Sequence, residues 1–367
     1  MKYYIVSILA AILFLSPCKG FCEMPSQEQI TEWRRAAEQG DAPAQNNIGV
    51  IYENGERVPQ NYAEALKWFR LAAQQGLAEA ECNIGILYYM GLGVDKNLTE
   101  SFKWFTLAAD KGNADAQCSL GLLYAKGQVV EKSDVEAVKL YRLAAVQGNA
   151  RAQGFLGSMY ANGRGIEKND DEAVKWYRLS AEQGYAYAQS CLGWSYDVGQ
   201  GVAKSETEAV KWYRLATVQG DALAQNNLGK KYLLGLGVEK NYDEAMRLFH
   251  LAASQGYAIA EFNIGTMYEE GVGVSKDSNE AEKWYQLAAQ HGYSKHKNVF
   301  DETRIFNIVF GLILLGFAQA KAKKLTSKGI LVMVSSGEIW SLPKGFQILF
   351  WLGLSFVGFN LMNITSH

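Results

Sequence analysis

Small and apolar residues return at fixed places along most of this chain. In residues 149–184, NARAQGFLGSMYANGRGIEKNDDEAVKWYRLSAEQG, Ala stands at places two and four, Gly at nine, Tyr at twelve and Gly at fifteen. The same places are filled the same way six more times with no insertion or deletion, so that seven copies of 36 residues occupy 41–292. The apolar places 4, 8 and 12 are one helix face, and the small residues at 2 and 9 admit a neighbouring helix. This predicts a first helix of roughly 13 residues, ended by the Gly at place 15 in a left-handed conformation.

After a polar connection, each copy restarts with Asn, Ser or Asp followed three places later by Glu. The pairs are Asn61 and Glu64, Asn97 and Glu100, Ser133 and Glu136, Asn169 and Glu172, Ser205 and Glu208, Asn241 and Glu244, and Asp277 and Glu280. Each is read as a reciprocal helix cap. The second helix then carries Ala, Trp or Leu, Tyr or Phe, Leu and Ala, read as one packed face, and ends at Gly. A fixed period of this length, in which one helix pair cannot bury its own apolar face, predicts an all-α, α/α superhelical solenoid of seven 36-residue helix-pair repeats.

The pattern AxAQxNLGxxYxxGxGV followed by EAxKWYRLAAxQG resembles the Sel-one-like repeat, a relative of the tetratricopeptide repeat. The resemblance covers 252 of 367 residues, copies 41–76, 77–112, 113–148, 149–184, 185–220, 221–256 and 257–292. Copy three departs most, with Val129 for the second loop Gly and Leu140 for Trp, and local change of shape is expected there. The resemblance implies a right-handed superhelix that binds or scaffolds other proteins. Members of this kind act in bacterial envelopes or, with longer and split arrays, in membrane protein quality control. Cysteine-rich members associated with β-lactam hydrolysis carry a regular Cys pair per repeat, which this chain lacks.

The flanks differ from the array. Residues 1–20, MKYYIVSILAAILFLSPCKG, join one Lys to an apolar run and small residues, the pattern of a signal peptide. Residues 21–40 follow as an N-terminal capping half-repeat, with Ser26 and Gln29 as its cap. After the junction 293–304, two apolar segments, 305–320 and 346–362, flank a basic loop, 321–345, that holds Lys321, Lys323, Lys324 and Lys328. At about 24 Å as helix, the first segment is marginal against a ~30 Å hydrocarbon core. The pair is read as two transmembrane helices with the basic loop in the cytoplasm and the repeats outside it, in a bacterial envelope rather than the endoplasmic reticulum. A C-terminal helical cap on the last repeat is the alternative.

Composition narrows the chemistry. A net charge of −2, with 20% charged residues and no basic stripe, gives nucleic acid nothing to hold. Cys82 and Cys118 share one unit place a repeat apart, near ~10 Å, beyond the roughly 7 Å that a disulfide spans. Of the four His, His250, His291, His296 and His367, the first replaces the recurring Arg of a second helix and the pair His291 and His296 is read as solvated, and no nucleophile, dinucleotide or phosphate motif stands in a usable context. No catalytic residue, metal or cofactor is therefore expected, and the chain is read as a non-enzyme.

What remains is a surface. Places 3, 6, 7, 10, 13 and 14 of the first helices are read as facing away from the packed stripe, and there the copies differ. Asn47, Asn83, Asn227 and Asn263 recur at place seven, with Asn46 and Asn226 beside two of them. An amide side chain donates to and accepts from a peptide backbone at once, so such a row suits an extended segment; bonding within the array is the equal alternative. Trp194, Phe155, Phe262, Tyr89 and Met90 would add apolar pockets, and Lys126, Lys230 and Lys231 charge. The expected partner is a protein or peptide in a concave groove, and pairing between like copies leaves homo-oligomerisation open.

Overall fold

The computed structural model describes residues 25–293, which fold as fifteen helices with no strand among them. The signal peptide, most of the junction, both C-terminal apolar segments, Cys22, His296 and His367 lie outside the described residues. Helix α1 (Gln27–Glu38) is followed by seven pairs: α2 (Ala42–Asn54) and α3 (Tyr62–Gln74), α4 (Ala78–Met90) and α5 (Leu98–Asp110), α6 (Ala114–Lys126) and α7 (Asp134–Val146), α8 (Ala150–Asn162) and α9 (Asp170–Glu182), α10 (Ala186–Val198) and α11 (Glu206–Val218), α12 (Ala222–Leu234) and α13 (Tyr242–Ala253), α14 (Ala258–Glu270) and α15 (Ser278–Gln290). Each helix packs on the next in the chain. Successive first helices also approach one another directly, at α4 with α6 and α10 with α12, and no two successive second helices come as close. The side of the first helices, on which successive copies come closest, is termed the inner side below.

Every first helix ends at the glycine of place 15 in the left-handed region, from Gly55 at φ 71° to Gly271 at φ 71°. Every second helix starts at the expected Asn, Ser or Asp, whose side chain accepts from the Glu backbone N–H three places on, as Asn169 does from Glu172 at 3.0 Å. The reciprocal half of the cap takes another form. The cap residue's own N–H donates to the carbonyl of the place-12 tyrosine, Asn169 to Tyr160 at 3.0 Å, and all seven copies repeat this. The Glu carboxylate turns instead to a base one turn on, as Glu172 does to Lys175 and Glu244 to Arg247. Tying the cap to the first helix fixes the loop between the two helices.

The core of each copy is an aromatic ring of the second helix laid on the place-9 glycine of the first. Phe69, Phe105, Tyr141, Tyr177, Tyr213 and Phe249 are buried there, and a Cβ on Gly85 would stand 2.6 Å from the Phe105 ring. Two sequence expectations change. The place-31 leucines, Leu71, Leu107, Leu143, Leu179, Leu215 and Leu251, are exposed rather than packed. Burial on α3 runs through Ala65, Leu66, Phe69, Ala72 and Ala73, and the helical period turns place 31 away from that stripe. In copy three the departure stays in the loop: α6 and α7 keep the common length, and Val129 does not take the positive φ of the glycines it replaces. Arg57, in the first copy, is the non-glycine residue that does, at φ 60°.

A buried polar stitch closes each copy. The place-5 residue, on the inner stripe of the first helix, bonds the residue at the C-terminal end of the second helix 30 positions on. Five copies use glutamines, as Gln75 to Gln45 at 2.9 Å and Gln183 to Gln153 at 2.7 Å. The other two pair a base with a carboxylate, Lys111 Nζ with Glu81 at 2.7 Å and His291 Nδ1 with Glu261 at 2.8 Å. His291, exposed as the sequence reading has it, also bonds a fully buried carboxylate. His250 packs edge-on against Trp284, with ring centroids 5.2 Å apart.

Candidate binding surface on the first helices

The inner surface is built from the first helices, and the structure sorts the sequence-derived residues into three groups. Asn47, Asn83, Asn227 and Asn263 lie half-buried along it. Three are joined to the preceding copy, two of them through a second asparagine: Asn83 Nδ2 donates to Asn46 Oδ1 at 3.0 Å and Asn263 Nδ2 to Asn226 Oδ1 at 2.8 Å. Asn227 donates to the Tyr213 hydroxyl at 3.4 Å. The row therefore bonds side chain to side chain along the array, and Asn83 and Asn263 keep one amide hydrogen each for another group.

Three residues sit deeper than the sequence reading places them. Asn226, Tyr89 and Lys231 are buried. Place 6 faces the next copy instead of solvent, as the buried Cys82, Cys118 and Ser190 also show. Tyr89 takes a hydrogen bond from Lys126 at 3.2 Å across the copy boundary. Lys231 is held between Asp197, in a very short ion pair, and Glu206 at 2.6 Å, which joins α12 to α10 and α11. These residues hold the copies together; they do not present themselves to a ligand.

The remainder is accessible in part. Phe155 belongs to an aromatic cluster with Tyr141, Tyr185 and Tyr187 at centroid distances of 5.3, 6.3 and 6.1 Å. Phe262 packs on Tyr285 and Tyr293, and Met90 is half-buried beside Tyr89. Trp194, Lys126 and Lys230 are exposed. Val198 and Leu234, also exposed, stand at place 14, which the sequence reading turns outward without singling them out, one turn from Trp194 and Lys230.

Cys82, Cys118 and Cys191 are free thiols, and burial pushes all three up, Cys118 to about 11 and Cys191 to about 12. Such thiols stay protonated and unreactive at neutral pH. Among the described residues no group of three or more His, Cys, Asp or Glu is placed to hold a metal ion, and no helix is long and apolar enough to cross a membrane.

Glu53, at place 13 of the first copy, is the exception in its electrostatics: desolvation raises its carboxyl from 4.5 to about 7. The folded chain then keeps a proton that the unfolded chain releases at lower pH. Stability therefore falls as pH rises from about 4.5 to about 7 and is level above that, by up to about 3 kcal/mol from this group. Glu53→Gln is expected to flatten that slope in denaturant melts recorded between pH 4.5 and 7.5. An unchanged slope would place the titration elsewhere.

Comparison with known proteins agrees with this architecture. The model of the Sel1 repeat family matches residues 42–77, 78–113, 114–149, 150–185, 186–221, 222–257 and 258–293. A protective antigen present in uropathogenic Escherichia coli strains, which displays an SLR fold, is similar at 36% identity over 78% of this chain and 61% of that one, with a TM-score of 0.58. A Sel1 repeat protein from Oxalobacter formigenes is similar at 34% identity over 66% of this chain and 96% of that one, with a TM-score of 0.59. The chain thus spans about three fifths of the length of the Escherichia coli protein. No curated protein matches.

Proposed function

Because the chain belongs to the Sel1 repeat family, we propose that it is a non-enzymatic scaffold that holds a protein partner along the inner face of its array. One observation carries this: the residues that build the repeats are held constant over seven copies, while the outward places of the first helices change from copy to copy. A fixed frame with a varied surface is how helix-pair arrays come to recognise particular proteins. The half-buried amides of Asn47, Asn83, Asn227 and Asn263 suit an extended backbone laid along them.

Export and tethering to a membrane belong to the same proposal. They rest on the leader-like residues 1–20 and on the apolar segments 305–320 and 346–362 around a basic loop. The scaffold would then work as an adaptor on the outer side of the membrane that anchors it.

Capture from native extract with the full chain in detergent, beside a variant with Asn47, Asn83, Asn227 and Asn263 all changed to Ala, tests the reading. Since Asn83 and Asn263 also bond the preceding copy, the variant must first show unchanged helicity and a melting shift of no more than a few degrees. A protein retained by the parent and lost by the variant is the expected result. Equal retention by both would move the binding surface off the inner face.

A further inference from the structure

Large exposed apolar side chains on the first helices are confined to the last three copies. They are Trp194 at 41% exposure, Val198 at 49%, Leu234 at 54% and Ile259; the other first helices carry none, and the rest of the exposed apolar residues lie on second helices or loops. Trp194 and Val198 are one turn apart on α10, and Lys230 and Leu234 hold the same two places on α12. The two helices touch, and the Lys231 to Asp197 ion pair fixes their register. The four side chains therefore fall at equivalent places of two touching helices, Trp194 and Lys230 at place 10 and Val198 and Leu234 at place 14, and are taken as one patch. Polar residues bound it, Ser158 and Asn162 on one side and Thr266 and Glu270 on the other.

The charge of the patch is uneven. Beneath it, Asp197 and Glu206 are occupied by Lys231, and Glu206 also by Lys204 at 3.0 Å. Two carboxylates therefore meet two ammonium groups before Lys230 is added, and Lys230 has no ion-pair partner among the described residues. It is an exposed cation at the edge of an apolar shelf. Among the cations of the first helices, Lys126 already bonds Tyr89, Arg151 is buried, and Lys231 is paired.

We propose that this patch is the specificity site of the scaffold and that it takes an extended segment of a partner protein bearing a large apolar side chain and a carboxylate two or three residues apart. The spacing follows from geometry: packed helix axes lie about 8–10 Å apart, and an extended chain advances about 3.3 Å per residue. The apolar side chain covers Trp194, Val198 and Leu234, and the carboxylate meets Lys230. Desolvated aromatic anchors with a charge at the rim are the usual energetic centre of an interface. The inference deepens the scaffold reading and rests on it.

The test is selection from a synthetic bead library of 12-residue peptides, probed with the full chain in detergent and with Trp194→Ala and Lys230→Glu. Both residues are exposed, so both variants should melt as the parent does. Enrichment of peptides with Asp or Glu two or three places from Leu, Phe or Trp is expected for the parent. Lys230→Glu should turn that preference toward Lys and Arg, and Trp194→Ala should weaken binding of a resynthesised hit about tenfold or more. A parent selection with no acidic and apolar pairing, or one unmoved by Lys230→Glu, overturns the proposal. If selected peptides instead depend on the four place-seven asparagines, the scaffold reading stands and this site falls. Self-association of the parent that Trp194→Ala abolishes would assign the patch to a second copy of the chain and likewise overturn it.

Discussion

Gly93→Ala should destabilise the second copy by about 3–5 kcal/mol, while Gly112→Ala, nineteen residues on in the same copy, should cost only about 1 kcal/mol. Both glycines have positive φ, 67° and 87°, so both variants bear the strain of a left-handed backbone. Their surroundings separate them. A Cβ on Gly93 would stand 2.6 Å from the backbone of Tyr62 and Ala63 at the start of α3, and backbone cannot swing aside. A Cβ on Gly112 would meet nothing within 4 Å. Arg57 fills the place of Gly93 in the first copy with φ 60°, so the left-handed backbone alone does not demand glycine there. Urea denaturation with hydrogen exchange on α3, α4 and α5 reads the difference, and equal losses for the two variants would show that strain, not the neighbouring copy, fixes the residue.

Lys111→Ala should cost about 2–3 kcal/mol, and the double change Glu81→Gln with Lys111→Gln should restore the stability of the parent or exceed it. The Glu81 side chain is 5% exposed, with one carboxylate oxygen on Lys111 and the other without a hydrogen-bond partner among the described residues. Removing Lys111 leaves a buried charge uncompensated, which is far more harmful than replacing the pair by neutral groups. The neutral pair already exists in five other copies, where Gln147 bonds Gln117 at 2.8 Å and Gln219 bonds Gln189 at 2.8 Å. There the place-5 glutamine gains a second bond, as from Gln153 to the Ala145 carbonyl at 3.1 Å, which a carboxylate cannot make. The double variant is therefore expected to match or exceed the parent in thermal melts. If it stays as unstable as Lys111→Ala, the ion pair has no neutral equivalent in this copy.

Legibility in the sequence followed the range of each interaction. The caps at Asn169 and its equivalents, and the left-handed glycines at place 15, depend on neighbours within one turn, so residue type and spacing sufficed. The second-helix leucines misled because an apolar residue constant in every copy looks like core, and only the helical phase set by Phe69 and Ala72 shows Leu71 to be outside. Asn226 and Lys231 were read as exposed because what covers them comes from other copies: Asn263 lies 37 residues later, and Asp197 lies 34 earlier. A partnership within the copy, by contrast, is written in the chain. Glu replaces Gln at place 5 only in copies whose second helix ends in a base, Glu81 with Lys111 and Glu261 with His291. That substitution pattern marks a contact without any structure.

The recurring bonds between copies span 18, 34, 35 or 37 residues, and the stitch within a copy spans 30. Removing or duplicating one whole 36-residue unit preserves the register of all these bonds, but only the recurring ones, Arg to Tyr over 18 residues and side chain to Gly carbonyl over 35, find the same partners in other copies, whereas Lys231 with Asp197 needs the fifth and sixth copies side by side. Length is thus a heritable variable that slips past the fold: a gene that gains or loses a copy by unequal exchange still encodes a continuous array. What changes is reach, by about one helix-pair spacing of ~10 Å per copy, and the position of the Trp194 and Lys230 shelf along it.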